Sequence, residues 1–243
     1  MEKTYRAINW NVLDDALDKA VWEKLTEQFW LDTRIPLSND LNDWKKMKEE
    51  EHALVEKVFG GLTLLDTLQS VDGMTALKKD ALTSHEAAVL NNIEFMESVH
   101  AKSYSSIFST LNTPAEIEEI FEWTEKNEYL QYKAEKICAI YRGDDALMKK
   151  AASVFLESFL FYSGFYAPLY FLGHNRLNNV AEIIKLILRD ESVHGTYIGY
   201  KFQIRYRALA EEEQEKLKFE IVNLLYDCLL YTSPSPRDAH ESR

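Results

Sequence analysis

The chain has 243 residues, enough for one large domain with a sizeable core, and its formal net charge of −12 argues against a nucleic-acid or anionic-membrane partner. Glycine and proline number only eight and five, which excludes a turn-dense β architecture and favours long helices. No apolar run reaches the roughly 18 residues of a membrane span, the N-terminus has no signal pattern, and Cys138 and Cys228 form no disulfide framework or zinc motif, so a cytoplasmic setting is expected.

A first helix is predicted from about Leu13 to Phe29. Pro36 and Ser38-Asn39-Asp40 then mark a loop over Phe29–Asp40. A charged helix leads from Leu41 into Val55–Asp66. Thr83 with Glu86 has capping-box spacing and opens a helix that runs to about Leu111. Thr113, Pro114 and Glu116 supply an N-cap, a first-turn proline and an N3 carboxylate for the next one. Two strongly apolar helices follow, Lys149–Phe171 with Pro168 as a candidate kink, and Asn179–Tyr206, before the charged run Glu211–Lys218. No strand is expected.

Glu97-Ser98-Val99-His100 and Glu191-Ser192-Val193-His194 repeat the pattern Glu-x-x-His, which sets a carboxylate and an imidazole on one helix face. Tyr104 continues the first stripe one turn on. Four segments alternate steps of four and three residues: Val55, Phe59, Leu62, Asp66; Leu90, Ile93, Glu97, His100, Tyr104, Ile107; Val154, Glu157, Phe161, Gly164; and Ile184, Ile187, Glu191, His194, Ile198. Each places an ionisable group on a core-facing stripe, and none of these stripes offers a lysine or arginine to pair with it. A buried, unpaired carboxylate is costly, so it protonates, pairs or binds metal.

One carboxylate from each of two helices plus Glu-x-x-His from each of two others is the arrangement of di-iron and di-manganese carboxylate bundles. Metal is therefore the simplest reading for Asp66, Glu97, His100, Glu157, Glu191 and His194. Two divalent ions neutralise four carboxylates, and an oxygen-rich set with two imidazoles suits iron or manganese better than zinc. Oxidation by dioxygen adds charge that oxide or hydroxide balances, so such a centre is poised for redox, and storage alone would not require a phenol one turn from a ligand. Glu49-Glu50-Glu51-His52 matches the same pattern, but within a charged run on a solvated face. Residue by residue, alternatives stay open: Tyr104 as a core tyrosine with a hydrogen-bond partner or as a redox group, Asp190 as a surface acid or as the outer carboxylate of His100, Trp30 as ordinary packing.

At these residues the chain resembles the small, radical-generating subunit of class I ribonucleotide reductase, and most of all its Ib branch. The matching stretches are the Phe29–Asp40 loop, Gly61–Thr67, Phe95–Thr110, Phe155–Phe165 and Arg189–Gly195, within overall coverage from about Tyr5 to Asp227. The resemblance implies an all-α, ferritin-like bundle with a dimetal-carboxylate site in its core. It implies two manganese or two iron ions on the six residues above, a tyrosyl radical on Tyr104, and a radical path that begins at Trp30 and Asp190 with His100. It implies a homodimer, a large catalytic subunit as partner, and a flavodoxin-like activator that supplies superoxide to a dimanganese site. From Cys228 the chain departs from the family, which continues with further helices and a docking tail. The domain is thus expected over residues 1–227, incomplete at its C-terminus, with 228–243 read as a translated sequencing adapter or a disordered Ser/Pro tail. Rival readings on the same scaffold are a ferritin-like metal store, a dimetal monooxygenase or ligand-binding oxidase, and a fragment inactive for want of the docking tail.

Overall fold

The computed structural model describes residues 6–230, with side chains through Cys228. Every regular element among them is helical: α1 (Ala16–Glu27), α2 (Leu41–Trp44), α3 (Glu49–Leu68), α4 (Met74–Lys79), α5 (Ser84–Leu111), α6 (Pro114–Lys126), α7 (Glu128–Arg142), α8 (Ala146–Phe155), α9 (Phe161–Gly173), α10 (Asn178–Tyr206) and α11 (Glu211–Leu230). Short 3-10 turns at Asp32–Arg34 and Leu37–Asp40 fill the loop after α1. Two π-helical segments, Gln69–Gly73 and Leu156–Leu160, join α3 to α4 and α8 to α9 into continuous rods. Among the described residues no helix is long and apolar enough to cross a membrane.

The rods α3–α4 and α8–α9, with α5 and α10, make a four-helix bundle in which α3 lies along α5, and α8 and α9 lie along α10. Helix α1 covers α5, and α6 and α7 pack on the α3 side. The centre of the bundle is filled by Phe59, Leu90, Ile93, Phe161, Ile184, Ile187 and Ile198, all buried. Backbones approach closely where side chains are missing: a Cβ on Gly164 of α9 would lie 2.8 Å from a Leu62 methyl on α3.

Helix starts follow from identifiable caps. Asp15 accepts the Leu17 N–H, so α1 begins at Ala16 rather than Leu13. Thr83 accepts the Glu86 N–H as expected, but the Glu86 carboxylate accepts from Leu82 N rather than from the cap, and also receives Lys150 Nζ at 3.0 Å. The Thr113–Glu116 box closes in both directions, with Pro114 in the first turn. Helix α10 has a cap that no local pattern reveals: Asp40, from the loop after α1, accepts the Asn179 and Val180 N–H groups at 2.8 and 2.7 Å.

Two predicted segments differ in detail. The charged helix from Leu41 breaks after Trp44 and restarts at Glu49, where Glu51 accepts the Lys48 N–H and the acidic first turn meets the positive end of the helix. The Val154–Gly164 stripe does not stay on one face: Glu157 and Phe161 are buried, but Val154 and Gly164 are only half-buried. The π segment adds a residue to one turn and rotates the preceding helix, so that Ser153 takes the inward position. Helix α11 runs to Leu230 and buries Cys228; of the expected tail, residues 231–243 lie outside the described residues. Cys138 and Cys228 are both unbonded.

Candidate metal centre and its surroundings

Asp66 sits in the last turn of α3, Glu97 and His100 in the middle of α5, Glu157 in the second π segment, and Glu191 and His194 in the middle of α10. None is more than 1% exposed. Their ligating atoms fall into two sets, Asp66, Glu97, His100, Glu191 and Glu97, Glu157, Glu191, His194, each within a 4.8 Å span. Glu97 and Glu191 belong to both sets and lie between them.

The imidazoles turn toward the opposite helix. His100 Nδ1 is 3.0 Å from Glu191 and 3.6 Å from its own Glu97. His194 Nδ1 is 2.7 Å from Glu97 and 3.7 Å from its own Glu191. Spacing within each Glu-x-x-His brings the pair to one face; packing of α5 against α10 then crosses the pairs.

Close as these approaches are, they lack hydrogen-bond geometry. Both carboxylate oxygens of Asp66, Glu97 and Glu191, one oxygen of Glu157, Nδ1 of His100 and both ring nitrogens of His194 have no hydrogen-bond partner. Buried polar atoms in folded proteins are almost always satisfied, so a cluster of orphaned acceptors marks a missing cationic partner. A pair of divalent cations fits this donor set, with carboxylate and imidazole ligands matching iron or manganese. Burial, and then the charge of Glu97, pushes Asp66 and Glu191 well above the usual carboxylate range. Burial acts the same way on Glu97, but His100 and His194 hold it down at about 2. Burial opposes a charged His100, while Asp190 and Glu97 raise it to about 10. Protons thus partly compensate the excess negative charge, and metal ions would displace them.

Behind His100, Asp190 is buried rather than a surface acid and stands beside the imidazole. Its Oδ2 is 3.2 Å from His100 Nε2 and accepts the Trp30 indole N–H at 2.6 Å. Trp30 is itself buried, its ring stacked near His100 with centroids 6.0 Å apart. Gln28 and Arg189 donate to the other oxygen of Asp190. Tyr104 is fully buried, its ring 5.5 Å from that of Phe59, and its hydroxyl has no hydrogen-bond partner. Burial and the charges of Asp66, Glu191 and Glu97 raise it well above the ordinary phenol range, so it stays protonated. The third Glu-x-x-His is elsewhere: His52 stacks on Trp44 at 4.0 Å and contacts its carbonyl.

Gln28, Ser153, Gln69 and Tyr141 escaped the sequence reading. Tyr141 ends an apolar stripe of α7 (Ala134, Ile137, Cys138), which marked it only as core; Gln69 follows Asp66 by one three-residue step.

The family model described as "Ribonucleotide reductase, small chain" matches residues 7–230. The chain belongs to the ribonucleotide reductase small-chain family. It is 55% identical over 223 residues to the ribonucleoside-diphosphate reductase subunit beta nrdF1 of Mycobacterium tuberculosis, covering 90% of this chain and 69% of that one. It is 54% identical to the ribonucleoside-diphosphate reductase 2 subunit beta of Escherichia coli, covering 91% and 70%. The crystal structure of Streptococcus sanguinis dimanganese(II)-NrdF superposes with a TM-score of 0.93 at 69% identity, over 94% of this chain and 81% of that one. An R2-like ligand-binding oxidase with a Mn/Fe cofactor shares the fold at 17% identity and a TM-score of 0.75, over 90% and 79% of the two chains. The ferritin-like bundle of the ribonucleotide reductase small chains is therefore the fold of this chain, as the resemblance implied.

Proposed function

We propose that this ribonucleotide reductase small chain builds a dimetal centre on Asp66, Glu97, His100, Glu157, Glu191 and His194 and holds a tyrosyl radical on Tyr104 for ribonucleoside-diphosphate reduction. The observation that carries the reading is the pair of overlapping four-residue donor sets beside a buried phenol. Bound there, two manganese or two iron ions, with dioxygen or superoxide, supply the one-electron oxidant for Tyr104. The chain's own residues do the rest. Phe59 and the surrounding core keep water and reductants from the Tyr104 ring. Trp30, Asp190 and His100 form a hydrogen-bonded line that leads from the loop after α1 to the donor cluster, suited to passing an electron with a compensating proton.

As a small chain it works with a large chain that carries the reduction, and as a homodimer. A flavodoxin-like activator as the superoxide source and a cytoplasmic setting complete the proposal, supported by the likeness to NrdF proteins. The small-chain domain is proposed to span residues 1–227.

Loading the chain with Mn(II) or Fe(II) under controlled oxygen tests this reading. Elemental analysis is expected to give two ions per chain, falling well below two when Glu97 or Glu191 is replaced by alanine. After iron and oxygen, an organic radical signal is expected by electron paramagnetic resonance. Tyr104→Phe should keep the metal and lose that signal; a signal unchanged in the variant refutes the assignment. A metal store would instead take up many ions per chain in a shell-like oligomer, which a mass measurement distinguishes.

A further inference from the structure

One of the four carboxylates differs from the other three. Asp66, Glu97 and Glu191 have both oxygens unpartnered, whereas Glu157 has only Oε2 free. Its Oε1 accepts a hydrogen bond from Nε2 of Gln69, which also donates to Ser153 Oγ at 2.7 Å. The Gln69 carbonyl oxygen in turn accepts from the Tyr141 hydroxyl at 2.6 Å. The amide has one consistent orientation: a carboxylate only accepts, so the NH₂ must face Glu157, and the phenol supplies the donor that the carbonyl needs. Gln69 and Ser153 are fully buried and Tyr141 nearly so.

The backbone is shaped for this arrangement. Gln69 opens the π-helical segment that follows α3, and Glu157 lies in the second π segment. A Cβ on Gly73 would stand 2.5 Å from the Gln69 carbonyl oxygen and 3.0 Å from the Tyr141 ring, so only glycine leaves room for both. Residues of α7 and α8 therefore converge on the Gln69 amide, which alone reaches Oε1 of Glu157.

Resting on the metal reading above, we propose that Gln69, fixed by Tyr141 and Ser153, is a positioning residue that clamps Oε1 of Glu157 and presents Oε2 alone to the Glu97, Glu157, Glu191, His194 set. The first set, with Asp66 and His100, has no such clamp on its carboxylates. The two positions are thus built with different freedom: the ligands of one can swing between oxygens, while Glu157 in the other is held by a neutral relay that never competes for its charge.

The test uses the whole chain and Mn(II) alone, with free Mn(II) followed by electron paramagnetic resonance during titration. Gln69→Leu is expected to weaken one of the two ions by about 10- to 100-fold, the usual effect of losing an outer partner of a ligand, and to leave the other unchanged. The weakened ion should be the one that His194→Ala removes and His100→Ala retains. Tyr141→Phe, which keeps the ring and deletes only the donor, should produce a smaller loss at the same ion; it decides the matter if Gln69→Leu does not fold. Two unchanged affinities, or equal losses at both ions, overturn the clamp. Wild-type protein that binds fewer than two ions overturns the metal reading and the clamp with it, whereas two ions in the wild type with unchanged Gln69→Leu and Tyr141→Phe overturn the clamp alone.

Discussion

His194 Nδ1 lies 2.7 Å from Glu97 Oε1 on the neighbouring long helix. The contact ties α10 to α5 at the level of the proposed centre, and its mirror, His100 to Glu191 at 3.0 Å, does so again one step away. The donor cluster is therefore a property of how two helices face each other, and anything that tilts one against the other changes both contacts at once.

Under the proposed function, the line from Trp30 through Asp190 to His100 serves radical export and not radical storage. Trp30→Phe removes the indole donor without a change in ring burial, and is expected to keep metal and radical signals while abolishing turnover with the large chain. Asp190→Ala removes the outer carboxylate of His100 and should in addition lower affinity at the Asp66 position by about 10- to 100-fold. Full turnover in Trp30→Phe would exclude this route.

Gly164 is a packing requirement. Its absent Cβ would press on three atoms of Leu62 at 2.8–3.0 Å, and Leu62 is buried and cannot swing clear. Gly164→Ala should cost about 1–3 kcal/mol as overpacking, with a melting point lower by several degrees. Adding Leu62→Val should recover part of that loss in a double-mutant cycle; strict additivity would deny the contact.

Asp40 holds the start of α10 from a distant loop. Asp40→Ala should cost about 1–2 kcal/mol by loss of the cap, and hydrogen exchange should quicken at Asn179 and Val180 while the middle of α10 stays protected. Asp40→Asn keeps an acceptor and should retain most of the stability.

Glu51 supplies a pH-dependent contribution away from the centre. Two hydrogen bonds from Arg176, at 2.7 and 2.8 Å, and one from the Lys48 backbone hold its carboxyl down at about 2. A depressed carboxylate contributes stability that is complete above its unfolded value near 4.5 and is lost as pH falls through about 2. The pair is partly exposed, so solvent screening keeps its worth below about 1 kcal/mol. The difference in melting temperature between wild type and Glu51→Gln should accordingly be constant at neutral pH and shrink as acid is added; a difference that grows with acid would give the wrong sign.

Local spacing made the bundle and its six donors legible. Steps of three and four along α3, α5 and α10 place Asp66, Glu97, His100, Glu191 and His194 inward with no help from tertiary structure, and all are buried. Glu157 lies on such a stripe as well, but of its stripe mates Val154 and Gly164 are only half-buried, and the π segment brings Ser153 to the inward position instead of Val154. Periodicity assumes an unbroken helix, so residues around a π segment are where it fails. Gln69 and Tyr141 sit at such a place: one begins a π segment, and the other comes from a helix whose stripe looks like plain core. Asp40 was hidden for another reason, since a cap supplied from 139 residues away leaves no pattern near Asn179.

Glu97 and Glu191 each take part in both donor sets. Replacing either one damages the two halves of the centre together and cannot say which ion does what. Only four positions, Asp66 and His100 on one side and Glu157 and His194 on the other, act as separate handles, so any attempt to make this scaffold hold one ion, or two unlike ones, has to begin with them.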